Sequence, residues 1–212
     1  MFYDAPSTLG AMALLDKLVN QDQSMPPGVS DANACTNAFF AGRTAMMLLS
    51  TGSLSFVRSN MKLPYKVAFL PKSVRNAAPI GGASLILPKG NTPERQQAAW
   101  RLISWLVSPK VAGEWSRFTG YFSPRTAAYA LPEMETYLAE NPDAKVALDQ
   151  LQYAVPWFDT FSTVAVRKAM EDQVQAILSA KTKPEAAVKA AQQSADALLR
   201  PYVEQTALKA LG

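Results

Sequence analysis

Apolar residues recur at helical spacing along most of the chain, separated by polar loops that contain proline or glycine. Intervals of three and four residues are typical of helices with one apolar face. The pattern predicts helices near 6–19, 32–41, 54–60, 93–107, 109–119, 124–129, 133–141, 142–150, 160–180 and 183–202. Thr92 and Ser108 each precede a proline, which favours a helix start, and Gly120 suits a helix end.

Three compact apolar runs interrupt the helical pattern. Residues 44–49, 65–70 and 84–88 have the length of strands, and the first run is apolar enough to be buried on both faces. Three short strands are few for so many helices. We therefore predict that the chain is part of a larger α/β assembly.

Two adjacent glycines, Gly81 and Gly82, stand before the third apolar run. Neighbouring glycines lose backbone entropy on folding, so they are expected where the chain has a special need for them. One explanation is a hinge turn that requires permissive dihedral angles. The other is a bare backbone that a ligand approaches closely, and the residues alone leave both open.

The composition narrows the possible functions. The net charge of +4 comes from scattered lysines and arginines, which gives little support to nucleic-acid binding. The chain has one cysteine and no histidine, so an internal disulfide, a cysteine-based metal cluster and the usual histidine-assisted nucleophiles are all excluded. We expect a protein that is not an enzyme and that needs no metal or cofactor.

The sequence shows no membrane-spanning or export pattern. No apolar stretch reaches the roughly 20 residues that cross a bilayer. The first 18 residues, "MFYDAPSTLGAMALLDKL", lack the basic start and unbroken apolar segment of a signal peptide. We expect that the chain, taken by itself, is soluble and is not exported by a signal of its own.

Several motifs, in order, resemble a known family. They are "FFAGRTAMM", "STGSL", "YKVAFLPK", "IGGASL" and "EWSRFTGYFSPRTAAY", followed by a helix that bears an arginine. This order resembles the C-terminal half of the extracellular solute-binding proteins of ABC importers. Within that family it is most similar to those that bind sn-glycerol-3-phosphate or glycerophosphodiesters. The resemblance implies an α/β, type II periplasmic-binding-protein-like fold of two lobes, represented here by a helix-rich C-terminal portion.

The resemblance also implies a domain organisation. Residues 1–78 would belong to the second lobe, 79–122 would cross into the first lobe, and 123–212 would return to the second. A missing N-terminal lobe segment and a signal sequence would precede this chain, so we expect a truncated chain or a fragment. The implied location is the periplasm, and the implied partners are the membrane permease subunits of an ABC importer.

The same resemblance implies a ligand site between the lobes. Its residues in this chain would be Ser53, Gly81, Gly82, Tyr121 and Arg167. Helix starts such as the "STGSL" turn offer free N–H groups and a positive dipole end to an anionic oxygen. Arginine presents a fork of donors that suits phosphate oxygens.

Each side chain also has a structural explanation. Ser53 is expected to cap the helix at 54–60 if it does not bind a ligand. Tyr121 would then be an ordinary half-buried tyrosine. Arg167 lies at helical spacing from apolar neighbours and would otherwise form a salt bridge, for example with Glu171. The residues alone do not decide between these alternatives.

Other prominent side chains are predicted to be structural. Trp100, Trp105 and Trp115 lie at helical spacing with apolar neighbours, which indicates core packing. Arg58 and Lys168 are expected to be solvated.

The favoured function is a non-catalytic binding module for a small phosphorylated polyol, glycerol-3-phosphate or a glycerophosphodiester, that works by closure of a cleft. The first alternative is a binding protein for an unphosphorylated sugar. A third is a helical adaptor that docks through the Ala-rich face of 186–199, although such faces usually pack on their own domain.

Overall fold

A computed structural model describes residues 2–28 and 31–206, and the chain divides into two compact units. One unit comprises the residues up to 35 together with those from 158 onward, and the other comprises 36–157. The helices are α1 (Pro6–Asp16), α2 (Ala32–Phe40), α3 (Leu54–Asn60), α4 (Pro93–Leu106), α5 (Pro109–Thr119), α6 (Pro132–Glu140), α7 (Pro142–Gln150), α8 (Thr163–Leu178) and α9 (Pro184–Thr206). Within the described ranges, every helix is too short or too polar to cross a membrane.

The unit that contains both ends of the chain is built from α1, α8 and α9. Small residues spaced four apart, Ala187, Ala191 and Ala195, form the buried face of α9. They pack in clusters with Val166 and Ile177 of α8, both of which are fully buried. The Ala-rich face is therefore part of this unit's own core, and the adaptor hypothesis loses the docking surface on which it depended.

Hydrogen bonds tie the N-terminal segment to this core. The hydroxyl of Tyr3 donates to the carbonyl of Val166 at 3.1 Å, and the backbone N–H of Tyr3 donates to Oε1 of Gln192 at 2.6 Å. Further along, the Asn20 amide donates to the carbonyl of Ile177 at 2.9 Å. Because these partners are far apart in sequence, the segment before α1 and the turn after it are both fixed on α8 and α9.

The second unit holds helices α3 to α7 and a two-stranded parallel sheet. Strands β1 (Ala78–Ile80) and β2 (Ala154–Pro156) pair with Pro79 opposite Val155. Each strand contains a proline, which has no N–H to donate, so the ladder is short. The sequence pattern predicted neither strand.

The three predicted strands are wrong. Residues 44–49, 65–70 and 84–88 form no strand in this structure. A strand needs a neighbour to satisfy its backbone hydrogen bonds, and none of these runs meets one among the described residues. The predicted burial of the first run is also wrong, because Met46 is 85% and Leu48 is 71% exposed.

The local signals for helix ends are confirmed. The Thr92 hydroxyl accepts a hydrogen bond from the N–H of Arg95 at 3.4 Å, and Pro93 opens α4. Gly120 ends α5 with φ of +95°, a left-handed conformation that favours glycine. These signals act over a few residues, so they do not depend on contacts with distant parts of the chain.

The predicted burial of the tryptophans is wrong. Trp100, Trp105 and Trp115 are 59–63% exposed, and α4 has no buried residue. Helical spacing places each tryptophan near apolar neighbours of its own helix, α4 or α5, but does not show what covers those side chains.

An ion pair that the sequence did not predict connects α3 with α7. Nε of Arg58 donates to Oδ2 of Asp143 at 2.9 Å, and Nη2 pairs with Oδ1. Nη1 donates to the hydroxyl of Tyr137 on α6 at 2.9 Å. Partial burial acts to raise the pKa of Asp143, but the hydrogen bonds and charge of Arg58 outweigh it and the net shift is downward. The expectation that Arg58 is solvated is wrong, because its side chain is only 23% exposed.

We predict that Val166→Ala destabilises the protein by about 2 kcal/mol, because two buried methyl groups are lost and a cavity remains. Val166 is fully buried, whereas Val164 on the same helix is 74% exposed. Val164→Ala has the same effect on helix propensity and is the matched control. Urea unfolding measures both, and equal effects would contradict the assignment of this core.

We predict that Arg58→Met lowers the free energy of unfolding at pH 7 by about 1–3 kcal/mol, because a partly buried carboxylate loses its charged donor. The folded-state pKa of Asp143 lies below its usual value, so the ion pair stabilises the fold above the unfolded pKa. That contribution is lost as the pH falls through the folded pKa. The difference between wild type and variant should therefore shrink on acidification.

Lys145→Met is the matched control for this pH series. Lys145 forms an exposed pair with Asp149 on α7, and such pairs contribute little. Urea unfolding at several pH values gives both results. A difference between wild type and Arg58→Met that stays constant from neutral to acid pH would contradict the role assigned to the ion pair.

Candidate functional site

A cavity of about 500 Å³ lies within the unit formed by residues 36–157. Four of the predicted site residues line it, namely Ser53, Gly81, Gly82 and Tyr121. They come from the turn before α3, the segment after β1 and the segment after α5. The structure therefore brings together residues from three segments that are far apart in sequence.

Ser53 lies in a tight turn whose amides are already used. The Ser50 side chain accepts from the N–H of Gly52 at 3.4 Å, and its carbonyl accepts from the N–H of Ser53 at 3.0 Å. The expectation that this turn offers free N–H groups is therefore wrong. The alternative that Ser53 caps the helix is also wrong, because its side chain makes no cap hydrogen bond. Ser53 itself is one of the residues that line the cavity.

The backbone at Gly81 and Gly82 does not itself require glycine. Neither residue has a positive φ, so the explanation based on permissive dihedral angles lacks support. A Cβ placed on either residue would meet nothing within 4 Å. The glycines follow β1 directly, and the geometry is that of an uncovered backbone beside a cavity. This is the arrangement that the close-approach explanation requires.

Tyr121 follows the left-handed Gly120, and its backbone is held on both sides. Its carbonyl accepts from the Ser116 hydroxyl at 2.5 Å, and its N–H donates to Oγ1 of Thr119 at 3.2 Å. The side chain is 44% exposed. The ring lies against Gly52, where a Cβ would overlap three ring carbons. Tyr121 is thus a partly exposed phenol on a fixed backbone.

Arg167 lies on α8, in the other unit. Its Nε pairs with Oε1 of Glu171 at 2.9 Å, so the salt bridge considered from the sequence is present. The side chain is 47% exposed and Val164 is 74% exposed, so the expected apolar surroundings of Arg167 are not found. The guanidinium has further N–H donors beyond the one in this pair. Its role in ligand binding stays a prediction.

Sequence reasoning missed other polar groups of the cavity. Lys66 contributes a cation to the lining, and Tyr65 beside it contributes a phenol whose pKa is raised, first of all by burial. Gln150 and Asp143 also line the cavity. The apolar pattern of "YKVAFL" predicts a strand and gives no sign of a site, although an extended segment beside a cavity also presents side chains to it.

The lining suits a small polar molecule with an apolar face. Ser53 and Tyr121 have hydroxyl groups that can form hydrogen bonds with hydroxyl or phosphate oxygens of a ligand. Rings such as Phe69 offer flat apolar contacts. Across residues 2–28 and 31–206, no group of three or more Cys, Asp or Glu side chains is placed to hold a metal ion. The lining therefore offers hydrogen bonding, apolar packing and the charges of Lys66 and Asp143.

Comparison with known proteins identifies a family and several sequence relatives of this chain. Residues 4–146 match the family of bacterial extracellular solute-binding proteins. The chain is 31% identical over 177 residues to the sn-glycerol-3-phosphate-binding periplasmic protein UgpB of Yersinia pestis bv. Antiqua (strain Antiqua). That match covers 79% of this chain and 40% of the relative, so this chain spans less than half of the relative's length.

Solved structures share the fold. UgpB from Mycobacterium tuberculosis in complex with glycerophosphocholine superposes with a TM-score of 0.84 at 24% identity, over 95% of this chain and 51% of that one. Maltose-bound MalE3 of T. maritima gives a TM-score of 0.81 at 25% identity, over 94% of this chain and 52% of that one. These matches confirm the predicted α/β, type II periplasmic-binding-protein-like fold, of which this chain holds a helix-rich part. The match over residues 4–146 shows that the chain belongs to the bacterial extracellular solute-binding protein family.

Proposed function

We propose that this chain forms part of the substrate-binding component of an ABC importer, and that it binds a small phosphorylated polyol without catalysis. The observation that carries the proposal is the convergence of Ser53, Gly81, Gly82 and Tyr121 on one cavity. The named relatives support the ligand class, since one is a glycerol-3-phosphate-binding protein and another is a complex with glycerophosphocholine.

The chemistry of the lining fits glycerol-3-phosphate or a glycerophosphodiester. A polyol needs donors and acceptors at short range, which the Ser53 and Tyr121 hydroxyls supply. The bare backbone at 81–82 lets a ligand approach without meeting a side chain. A phosphate also needs a cation, and Lys66 lines the cavity. The family resemblance separately implies Arg167, on α8. Mutation decides between these two cations.

A second candidate ligand is an unphosphorylated sugar. The specific observation in its favour is the aromatic part of the lining, which includes Phe39, Tyr65, Phe69 and Tyr121. Aromatic rings offer flat apolar surfaces to the faces of sugar rings. A structural neighbour, MalE3 of T. maritima, is bound to maltose. This alternative predicts binding that does not depend on a cation.

The proposed location of the chain is the periplasm. The proposed partners are the membrane permease subunits of the importer and a polypeptide equivalent to the part of the relatives that this chain does not span. The second partner is supported by apolar side chains that lie in the open. Leu48 and Ile86 are 71% and 79% exposed, although both belong to runs whose composition favours buried strands. Backbone that finds no partner strand here would find one in such a polypeptide.

We predict that glycerol-3-phosphate and glycerophosphocholine bind the protein and that Tyr121→Phe weakens binding about five- to tenfold, because one hydrogen bond is lost. Loss of the phosphate-binding cation should cost at least about tenfold, since hydrogen bonds to charged groups are stronger. Titration calorimetry compares Arg167→Ala with Lys66→Ala. The matched control is Lys168→Ala, whose side chain forms an equivalent pair with Asp172 one position along α8.

The outcomes separate the hypotheses. Binding of phosphorylated ligands that depends on Arg167 or Lys66 but not on Lys168 supports the proposal. Binding of maltose or another neutral sugar that ignores all three substitutions favours the unphosphorylated alternative. A protein that binds no ligand, either alone or with the complementary polypeptide, contradicts both.

We predict that this chain forms a one-to-one complex with the segment of M. tuberculosis UgpB that lies outside the structural match, because the exposed apolar runs 44–49 and 84–88 find no strand partner among the described residues. Size-exclusion chromatography with light scattering measures the complex. Hydrogen exchange should slow at residues 44–49 and 84–88.

Leu48→Lys places a charge in this proposed contact and should abolish the complex. Val164→Lys, at a site of similar exposure in the other unit, should leave it intact. Failure to form a complex, or equal behaviour of the two variants, counts against this partner.

A further inference from the structure

The turn at residues 50–54 and the segment at 119–122 approach so closely that a Cβ on Gly52 or Gly120 would overlap atoms of the facing segment. A Cβ built on Gly52 would overlap Cζ, Cε1 and Cε2 of Tyr121, which are its three nearest atoms. On the other side, a Cβ on Gly120 would lie 2.5 Å from Cβ of Leu54 and 3.0 Å from the carbonyl oxygen of Thr51. Each segment has a glycine at the point where the other presses against it.

The two glycines are needed for different reasons. Gly120 has φ of +95° and faces backbone as well as a side chain, so a larger residue there has no route of relief. Gly52 has no positive φ, and the three atoms nearest to a Cβ built on it all belong to the Tyr121 ring. A Cβ at Gly52 is therefore accommodated only if that ring moves, and a tyrosine has rotatable bonds that let it move.

We infer that Gly52 is a positioning residue for Tyr121: the ring packs against its bare backbone, and this contact holds the phenol at the cavity. Both sides of this contact are otherwise fixed. Hydrogen bonds from Gly52 and Ser53 to Ser50 hold the turn, and Ser116 and Thr119 hold the Tyr121 backbone. The Gly52 backbone is thus a fixed surface against which the ring rests, and it contributes to the direction of the phenol.

The consequence for ligand binding rests on the proposed function. If Tyr121 hydrogen-bonds the ligand, then a residue at 52 that touches no ligand controls affinity through the ring. Gly52→Ala should weaken binding of glycerol-3-phosphate about as much as Tyr121→Ala does. The double variant should bind no worse than either single variant, because both changes remove the same interaction.

The test is a double-mutant cycle read out in two ways. In the wild-type background, Gly52→Ala should lower the Tm by about 2–6 °C, and in the Tyr121→Ala background it should have little effect. Calorimetric titration with glycerol-3-phosphate gives the matching cycle in affinity. Gly10→Ala is the control, since a Cβ there meets nothing within 4 Å, and it should leave affinity unchanged.

The two readouts keep the inference distinct from the proposed function. If no variant, including wild type, binds the ligand but the Tm cycle is strongly non-additive, the proposed function fails and the positioning role stands. If wild type binds and the effects of Gly52→Ala and Tyr121→Ala simply add, the positioning role is overturned. An unchanged Tm and affinity for Gly52→Ala overturn it as well.

Discussion

The close approach of the 50–54 turn to the 119–122 segment is the constraint on which the cavity depends. Two glycines permit it, since a Cβ on Gly52 or on Gly120 would collide with the facing segment. The contact directs the Tyr121 ring and brings Ser53 into the same lining. The uncovered backbone at 81–82, which directly follows β1, completes a set of groups that suits a small polar ligand.

The rest of the 36–157 unit supports this contact but leaves much apolar surface in the open. The Arg58–Asp143 pair connects α3 with α7 and includes Tyr137 of α6, so several short helices act together. By contrast, runs such as 44–49 and 84–88 find no strand partner among the described residues. The same chain spans about half of the solved structures that it resembles.

How well the sequence predicts a feature depends on how far apart in the chain the interacting residues lie. Helix ends were predictable because a cap at Thr92 or a left-handed Gly120 acts within one turn. The strands predicted at 44–49, 65–70 and 84–88 are wrong because strand pairing depends on segments that lie far away in the sequence. The site residues came from family resemblance, and the gathering of four of them at one cavity was not derivable from spacing. The role of Gly52 was missed since its partner, Tyr121, is far along the chain.

Chemical-shift mapping of the backbone amides tests the central claim most directly, because it locates a ligand without any mutation. The account predicts that glycerol-3-phosphate shifts the amide signals of Ser53, Gly81, Gly82 and Tyr121 more than those elsewhere in the 36–157 unit. Shifts that spare these four residues, or no shifts at a saturating ligand concentration, would contradict it.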